Sequence, residues 1–424
     1  MNVLVIGNGG REHAIVQALK KSPKVDKIYA MKGNAGIGEL AELVNVDYCD
    51  LKAVGDWVDA HKDVEYTVIA PDDPLALGLA DELESRGHRV FGPRKNAAII
   101  EASKAFSKEL MKKYGIPTAK YETFSDYESA KAYVDTCAIP VVLKADGLAL
   151  GKGVLICKTR EEAQEGIKEM MLDKKFGSAG NKVVVEEFLE GPEVSALAFT
   201  DGKTIKPMIT SCDHKRAFDG DEGLNTGGMG TFAPAPFYGE RTEKEVMEKI
   251  MLPTMHAMNA EGRTFKGVLY FGLMKTKDGM KVIEYNSRFG DPETQVILPM
   301  LKTDLMEIFK AVTDERLADI DIEWADGACV CVVLASGGYP VKYEKGKEIS
   351  FGDLDEDVVL CHAGTKRKDG KLVTDGGRVL GVCAKGETIE DARKKAYKNV
   401  EKIKFDGMHY RTDIGVKYRD IEKE

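Results

Sequence analysis

The segment Lys144-Ala145-Asp146-Gly147-Leu148-Ala149-Leu150-Gly151-Lys152-Gly153-Val154 sets two lysines and three glycines between two apolar, strand-like runs. Glycine-rich turns let backbone amides approach phosphate oxygens, and lysines neutralise the charge. This is not a Walker A loop, because Asp146 stands where the first glycine belongs and Gly153 where a Ser or Thr would hold magnesium. Nor does a helix follow, since Val154-Leu155-Ile156-Cys157 reads as a strand. The pattern predicts a hairpin flap folded over phosphates; a tight turn with solvated lysines is the plainer alternative.

Downstream, Glu284-Tyr285-Asn286-Ser287-Arg288 closes an apolar run. In a strand alternate residues share a face, so Glu284, Asn286 and Arg288 are expected on one side, Ile283 and Tyr285 on the other. A carboxylate and an amide carbonyl are hard oxygen ligands for magnesium, which takes few protein ligands. Arg288 would contact a phosphoryl group or an anionic substrate. A polar strand face without function is the competing reading. The preceding Asp278-Gly279 step predicts a hairpin.

Upstream, Val3–Ile6, Lys27–Ala30, Thr67–Ala70 and Arg89–Phe91 alternate with helix-length segments, as in a parallel sheet with crossover helices. Each run ends in a turn: Gly7-Asn8-Gly9-Gly10, Gly33-Asn34-Ala35-Gly36, Pro71-Asp72-Asp73-Pro74, Gly92-Pro93. Ligands bind beyond strand C-termini in such sheets, so these turns are expected at one edge of a site. Glu12 breaks the dinucleotide fingerprint begun by Gly7 and Gly9, leaving a phosphate-bearing ligand at the helix N-terminus, a structural turn, or a nicotinamide cofactor. Ser103 caps an expected helix that ends at Gly115. Further strands are expected at Val183–Glu187 and from about Trp324 onward, with a helix near Glu161–Leu172. The stretch from Asp213 to Gly239 shows no periodicity, and His214 within it reads as a surface histidine. A final helix after Thr388 carries Ile389, Ala392, Ala396, Val400 and Ile403 on one face, with Glu390–Lys394 and Asp391–Lys395 pairs outside.

The whole chain has 424 residues, 43 of them glycine, and a net charge of −9. With 43% hydrophobic and 31% charged residues it has a globular composition and length for two to four domains. The acidic balance argues against nucleic-acid or anionic-membrane partners. The N-terminus lacks a secretory pattern and no apolar run spans a membrane, so a cytoplasmic location is expected. Eight cysteines without a C-x-x-C pair read as reduced and mostly core.

In order, the Lys144–Gly153 segment, Asp213-His214-Lys215-Arg216, Asn225-Thr226-Gly227-Gly228-Met229-Gly230 and Arg288-Phe289-Gly290-Asp291-Pro292-Glu293-Thr294-Gln295 resemble the ATP-grasp superfamily and, within it, the glycinamide ribonucleotide synthetase family. The similarity runs from Val3–His13 to Gly376-Gly377-Arg378-Val379-Leu380. It implies an α/β (α+β overall) ATP-grasp fold: a Rossmann-like parallel-sheet domain over 1–102, an ATP-grasp domain over 103–325 with a lid at about 118–190, and a strand-rich domain over 326–424. It implies a C–N ligase joining glycine to 5-phosphoribosylamine through glycyl phosphate, with ATP cleaved to ADP and phosphate, in de novo purine synthesis.

The same similarity implies ATP contacts from Lys104, Lys144, Gly151, Lys152, Gly153, Glu186, Glu187, Leu189 and Glu193, and Mg2+ or Mn2+ on Glu284 and Asn286. Arg288, Asp213 and Lys215 take catalytic positions. Substrate contacts fall on Gly9, Gly10, Pro71, Asp72, Asn225, Thr226, Gly227, Gly228, Met229, Gly290, Asp291, Pro292 and Glu293. A monomer, or at most a weak dimer, is expected. Two departures are Asp72-Asp73, where many members have Glu-x, and Leu150 in the flap, where Ala is common. Another ATP-grasp carboxylate-amine ligase or carboxylase, or a non-catalytic nucleotide-binding protein, are the alternatives; the last would be expected to have lost Lys144, Glu284 or Asn286.

Overall fold

The chain begins with a five-stranded parallel sheet, β1 (Asn2–Gly7), β2 (Lys27–Lys32), β3 (Glu42–Val44), β4 (Val64–Ile69) and β5 (Val90–Phe91), ordered β3-β2-β1-β4-β5. The computed structural model describes residues 1–148 and 153–421. The four strands expected from apolar runs are present. β3 is a three-residue edge strand with Glu42 and Leu43 exposed, too short to leave a pattern. Along β1, Val3 and Val5 face one core while Leu4 and Ile6 face another, as the period of two requires. The second core is covered by helices carrying Val54, Val58, Leu79 and Leu83.

Ser103 caps the helix Lys104–Tyr114, its hydroxyl accepting from the Phe106 amide at 3.1 Å, and Gly115 ends it at φ 67°. Next comes a four-stranded antiparallel sheet, β6 (Tyr121–Phe124), β7 (Val141–Ala145), β8 (Val154–Cys157) and β9 (Val183–Glu187), ordered β6-β9-β7-β8. Its helices, Tyr127–Val134 and Arg160–Met171, enclose a separate core with Leu143, Ala163, Ile167 and Val185. β7 and β8 are the two strands of the expected flap hairpin; Ala149, Leu150, Gly151 and Lys152 lie outside the described residues.

β10 (Glu193–Thr200) and β11 (Ile205–Pro207) precede the segment expected to lack periodicity. That segment instead folds as β12 (Cys212–Asp213), β13 (Arg216–Phe218), β14 (Glu222–Asn225) and β15 (Gly230–Ala233), in strands too short to show a repeat. β13 and β14 form a hairpin. The long hairpin β16 (Gly267–Thr276) and β17 (Gly279–Asn286) turns at Asp278-Gly279 as expected, and β16 pairs with β10. β12 and β15 join β18 (Ala328–Ala335) in a five-stranded sheet that crosses the expected boundary near residue 325.

The remaining strands are β19 (Ser350–Phe351), β20 (Val359–His362), β21 (Thr365–Lys368), β22 (Lys371–Thr374), β23 (Arg378–Gly386) and β24 (Ile403–Lys404); β23 and β20 complete that sheet, and β24, which pairs with β19, takes Ile403 out of the last helix, where its spacing predicts it. The helix Ile389–Val400 is capped by Thr388 and buries Ala392, Ala396 and Val400. Glu390 pairs with Lys394 at 3.9 Å, but Lys395 turns to Asp357 because the Asp391 carboxylate accepts from the Thr388 hydroxyl at 2.7 Å. Six cysteines are buried; Cys49 is exposed and Cys137 half-buried, all of them free.

The parallel sheet docks on the C-terminal strands through two histidines. The His362 amide donates to His13 Nδ1 at 2.7 Å, and the Asn34 side chain bridges the carbonyls of Asn8 and His362 at 3.0 and 2.7 Å. The Gly33–Gly36 turn thus serves this joint. Burial, reinforced by His362, holds His13 down near 3; burial takes His362 to about 4. His214 is fully buried, not a surface group, and burial with the Arg411 charge takes it to about 3. Below about 6.5 the unfolded chain binds protons these rings refuse, so stability is present above that pH and falls as pH drops toward 4. His13→Gln should flatten the stability-versus-pH slope at pH 5 by up to about 1.4 kcal/mol per pH unit. Urea midpoints of wild type and variant at pH 7.5 and 5 give the comparison; parallel slopes would contradict it.

Candidate active site

The helix Lys104–Tyr114, β7, the connector after β9, the end of β17 and the β12–β14 loop converge on one cleft of about 540 Å³. Helical spacing of four puts Lys104 and Lys108 on the same face, both toward the cleft. Lys104 Nζ donates to the Gly147 carbonyl at 2.8 Å. Asp146, next in the flap arm, accepts from the Ala105 amide at 3.1 Å and the Ser103 hydroxyl at 3.0 Å, tying flap to helix N-terminus. Burial lowers the Lys104 pKa against the opposing pull of Glu284.

Lys144 reaches Glu186 Oε2 at 3.0 Å and donates to the Ile283 carbonyl at 2.9 Å. Lys108, which sequence alone did not single out, lies 3.2 Å from Glu186 Oε1 and donates to the Thr118 hydroxyl at 2.7 Å. Burial brings Lys108 down to about 8 despite the Glu186 charge. Glu186 Oε1 has no hydrogen bond of its own, leaving a buried acceptor beside the connector formed by Glu187, Phe188 and Leu189.

At the end of β17, strict alternation fails. A bulge opposite Gly272 and Leu273 inserts Ile283, so Val282 and Tyr285 both enter the core while Ile283 joins Glu284 and Asn286 along the cleft. Burial would raise Glu284, but Lys215, Lys144 and Lys104 overcome it and hold the carboxylate at about 2. Lys215 sits 3.5 Å from Glu284 and 3.7 Å from Glu193, and the Glu284 charge raises its pKa well above the ordinary value. An ionised carboxylate beside an amide oxygen suits a divalent cation that takes its remaining ligands from phosphate and water. Among the described residues no cluster of three His, Cys, Asp or Glu side chains supplies an all-protein metal cage.

A second group of charges borders the first. Asp213 is pushed well above its usual range by burial and the neighbouring Glu293 charge, against the pull of Lys215 and Arg378. Glu293 accepts from the Tyr270 hydroxyl at 2.9 Å and the Ser195 hydroxyl at 3.1 Å. Arg378 donates to the carbonyls of Gly227 and Asp291 at 2.8 and 2.9 Å. Arg288 pairs with Glu101 at 2.8 Å, with Asp72 only at 3.9 Å, and its buried Nε has no partner.

Of the residues singled out by sequence, Lys104, Lys144, Gly153, Glu186, Glu187, Leu189, Glu193, Asp213, Lys215, Asn225, Thr226, Gly227, Glu284, Asn286, Arg288, Asp291, Glu293 and Asp72 line the cleft. Gly151 and Lys152 lie outside the described residues. Gly9, Gly10, Pro71, Gly228, Met229, Gly290 and Pro292 are not among the lining residues. Gly228 is required at its position, because a Cβ would fall 2.4 Å from Pro292 and 2.7 Å from Asp213. The Gly9-Gly10 turn does not present a bare helix N-terminus: Glu12 accepts from the Gly9 amide at 2.7 Å and Asp291 from the Arg11 amide at 3.3 Å. Two carboxylates there disfavour a phosphate at those amides.

Glu101, Lys108, Arg11, Tyr270 and Arg378 also line the cleft. Only Lys108, four residues after Lys104, had a local signal. Basic and acidic side chains line the cleft in nearly equal measure, so the charges of Lys104, Lys144, Lys215 and Arg288 are compensated there.

The family model described as phosphoribosylglycinamide synthetase, ATP-grasp (A) domain, matches residues 102–294; its N-domain counterpart matches 1–101 and its C-domain counterpart 329–417. A phosphoribosylamine–glycine ligase of Caldanaerobacter subterraneus is 48% identical over 418 residues, spanning 99% of this chain and 100% of that protein. One from Halalkalibacterium halodurans is 47% identical, over 98% of this chain and 97% of its own. The crystal structure of phosphoribosylamine–glycine ligase from Thermotoga maritima superposes with TM-score 0.84 at 38% identity, covering 97% and 100% of the two chains. The biotin carboxylase domain of Hydrogenobacter thermophilus 2-oxoglutarate carboxylase shares the fold, with TM-score 0.74 at 16% identity over 96% and 91% of the chains. No helix among the described residues is long and apolar enough to cross a membrane.

Lys108→Met should destabilise the protein by about 2 kcal/mol, because it leaves a buried Glu186 oxygen and the Thr118 hydroxyl without their cationic partner. Combined with Glu186→Gln, the loss should fall short of the sum by about 1 kcal/mol or more. Denaturant unfolding of the four proteins tests this, and strict additivity would rule out the pairing.

Proposed function

This chain belongs to the phosphoribosylglycinamide synthetase family, and on that premise we propose that its cleft joins glycine to 5-phospho-D-ribosylamine at the expense of ATP. The products are N1-(5-phospho-D-ribosyl)glycinamide, ADP and phosphate, in the second step of de novo purine (IMP) biosynthesis. The observation that carries the reading is the convergence of Lys104, Lys144 and Lys215 on Glu284, with Asn286 alongside, below the arms of the flap.

ATP enters with adenine between the flap strand and the connector, where Ile156, Leu189 and Ile283 offer apolar surface and Glu186 Oε1, charge-paired with Lys108 but without a hydrogen bond, accepts from the exocyclic amine. Glu193 faces the ribose. Lys104 and Lys144 hold the phosphates, and Lys152 with Gly151 and Gly153 closes over them. Transfer of the γ-phosphoryl group needs positioning and charge neutralisation more than a dedicated nucleophile. The glycine carboxylate attacks the γ-phosphorus, releasing ADP and forming glycyl phosphate. Arg288, with its unpartnered Nε, and Lys215 stabilise the transferred group. A divalent ion, Mg2+ or Mn2+, bound by Glu284 and Asn286 would neutralise phosphate charge.

The amine of phosphoribosylamine then attacks the glycyl carbonyl and expels phosphate. Asp213, whose carboxyl holds protons more readily than an ordinary aspartate, takes up the amine proton at its carboxylate oxygen. Asn225, Thr226, Gly227, Asp291 and Glu293 enclose the glycyl group, backed by Gly228, Met229, Gly290 and Pro292. Asp72 lines the approach of the ribosylamine, with Pro71 and the Gly9-Gly10 turn behind. Closure of the flap excludes water from the acyl phosphate. The proposed domains are 1–102, 103–325 with a lid at about 118–190, and 326–424, acting in the cytoplasm as a monomer or weak dimer without nucleic-acid or membrane partners.

Phosphate release from ATP should require both glycine and freshly generated phosphoribosylamine. Release with neither, or with a different amino acid only, would favour another ATP-grasp ligase or carboxylase. Glu284→Gln should lower metal-dependent turnover by at least about 100-fold while keeping the native circular dichroism, because it removes a charge rather than packing. Near-native turnover would remove Glu284 from the metal site.

A further inference from the structure

We propose that Glu101, in the helix Lys95–Ala102, is a positioning residue that dictates which atoms Asn286 and Arg288 present to the cleft. The inference rests on the reading of Glu284 and Asn286 as metal ligands.

Glu101 is 7% exposed and accepts three hydrogen bonds, from Asn286 and Ser287, and forms one ion pair, with Arg288, so that it engages three consecutive residues. Oε1 takes Asn286 Nδ2 at 2.9 Å and Arg288 Nη2 at 2.8 Å; Oε2 takes the Ser287 amide at 2.7 Å and its hydroxyl at 2.8 Å. A carboxylate offers only acceptors, so Asn286 must turn its NH2 to Glu101 and its carbonyl oxygen away from it. That leaves Asn286 a ligand for a cation rather than a donor that repels one. In the same way Arg288 spends Nη2 on Glu101 and Nη1 on the Phe289 carbonyl at 3.3 Å, while its Nε stays buried and unpartnered at the cleft.

Glu101 also lies across a seam. It is the last residue matched by the N-domain model, whereas the three residues it holds fall within the ATP-grasp match. The orientation of Asn286 therefore depends on how the N-terminal part docks. Glutamine cannot substitute, because it keeps one acceptor oxygen and puts an NH2 against donors on the other side. Turning that NH2 toward Asn286 forces the Asn286 amide to reverse and aim its own NH2 at the cation.

The test is Mn2+ binding to the full chain saturated with a non-hydrolysable ATP analogue, read from the electron paramagnetic resonance of free Mn2+, alongside kcat and KM. Glu101→Gln should weaken Mn2+ binding and lower kcat at least about tenfold, with metal-free analogue affinity and the KM for glycine within about threefold. Ser287→Ala removes the hydroxyl donor to Oε2 but keeps the Ser287 amide donor and both Oε1 contacts, so it should stay within about twofold in both. Adding Asn286→Asp to Glu101→Gln restores two equivalent ligand oxygens opposite the new NH2 and should recover most of the Mn2+ affinity. That exchange also keeps the test decisive if Glu101→Gln alone folds poorly. Mn2+ affinity and kcat unchanged in Glu101→Gln, a Ser287→Ala loss as large as that of Glu101→Gln, or no recovery in the double variant would each overturn the role. Glu284→Gln separates the two readings. If it leaves Mn2+ binding intact, the metal site itself is wrong; if it abolishes binding while Glu101→Gln does not, only the role of Glu101 falls.

Discussion

The ammonium groups of Lys104, Lys144 and Lys215 converge on one cleft in a chain of net charge −9, and the carboxylate of Glu284 faces all three. Like charges brought together in a partly dry space repel unless a counter-charge stands among them. Glu284 supplies it, held at about 2 by those lysines against the cost of its own burial. The compensation is local and exchangeable, so an anion that enters the cleft can replace the carboxylate as counter-charge. A site that is nearly neutral when empty can therefore receive a highly charged substrate without depending on a basic surface.

Each member of this group comes from a different part of the chain, and the packing of each part is what gives it aim. Lys104 projects from the first turn of a helix whose N-terminus is shared by Ser103 and Asp146. Lys144 is the penultimate residue of a strand whose neighbours have their own core. Glu284 follows a bulge that shifts the phase of β17 by one residue. The same logic joins the ends of the chain: the His13–His362 contact ties the parallel sheet to the C-terminal strands, and Arg378 from β23 reaches back to hold the Gly227 and Asp291 carbonyls at the cleft.

Where the sequence carried a period or a cap, it was legible. The apolar runs of β1, β2, β4 and β5, the Asp278-Gly279 hairpin, the Ser103 cap and the Thr388 helix all follow from local chemistry. The 213–239 segment was not, because strands of two to four residues are too short to display alternation. His214 looked like a surface group among charged neighbours, yet Asp213 and Lys215 on either side line the cleft while its ring is buried beside Phe232. Ile283 was assigned to the wrong face because a bulge has no reliable sequence mark. Glu101 carried no signal at all, since its partners lie 185 and 186 residues away.

By itself the sequence determined the kinds of groups that meet: a glycine-rich turn with lysines, a carboxylate and an amide on one strand, and motifs in an order that places the chain in its family. Those are properties of residue type and short spacing, and they survive without knowledge of packing. The tertiary structure alone decided which atoms face the cleft and what each is paired with. Lys108 shares Glu186 with Lys144, Glu101 turns Asn286, and carboxylates fill the turn at Gly9-Gly10. Such pairings are set by the direction of donors and acceptors across hundreds of residues, and directionality of that kind exists only once the backbone has fixed where each side chain begins.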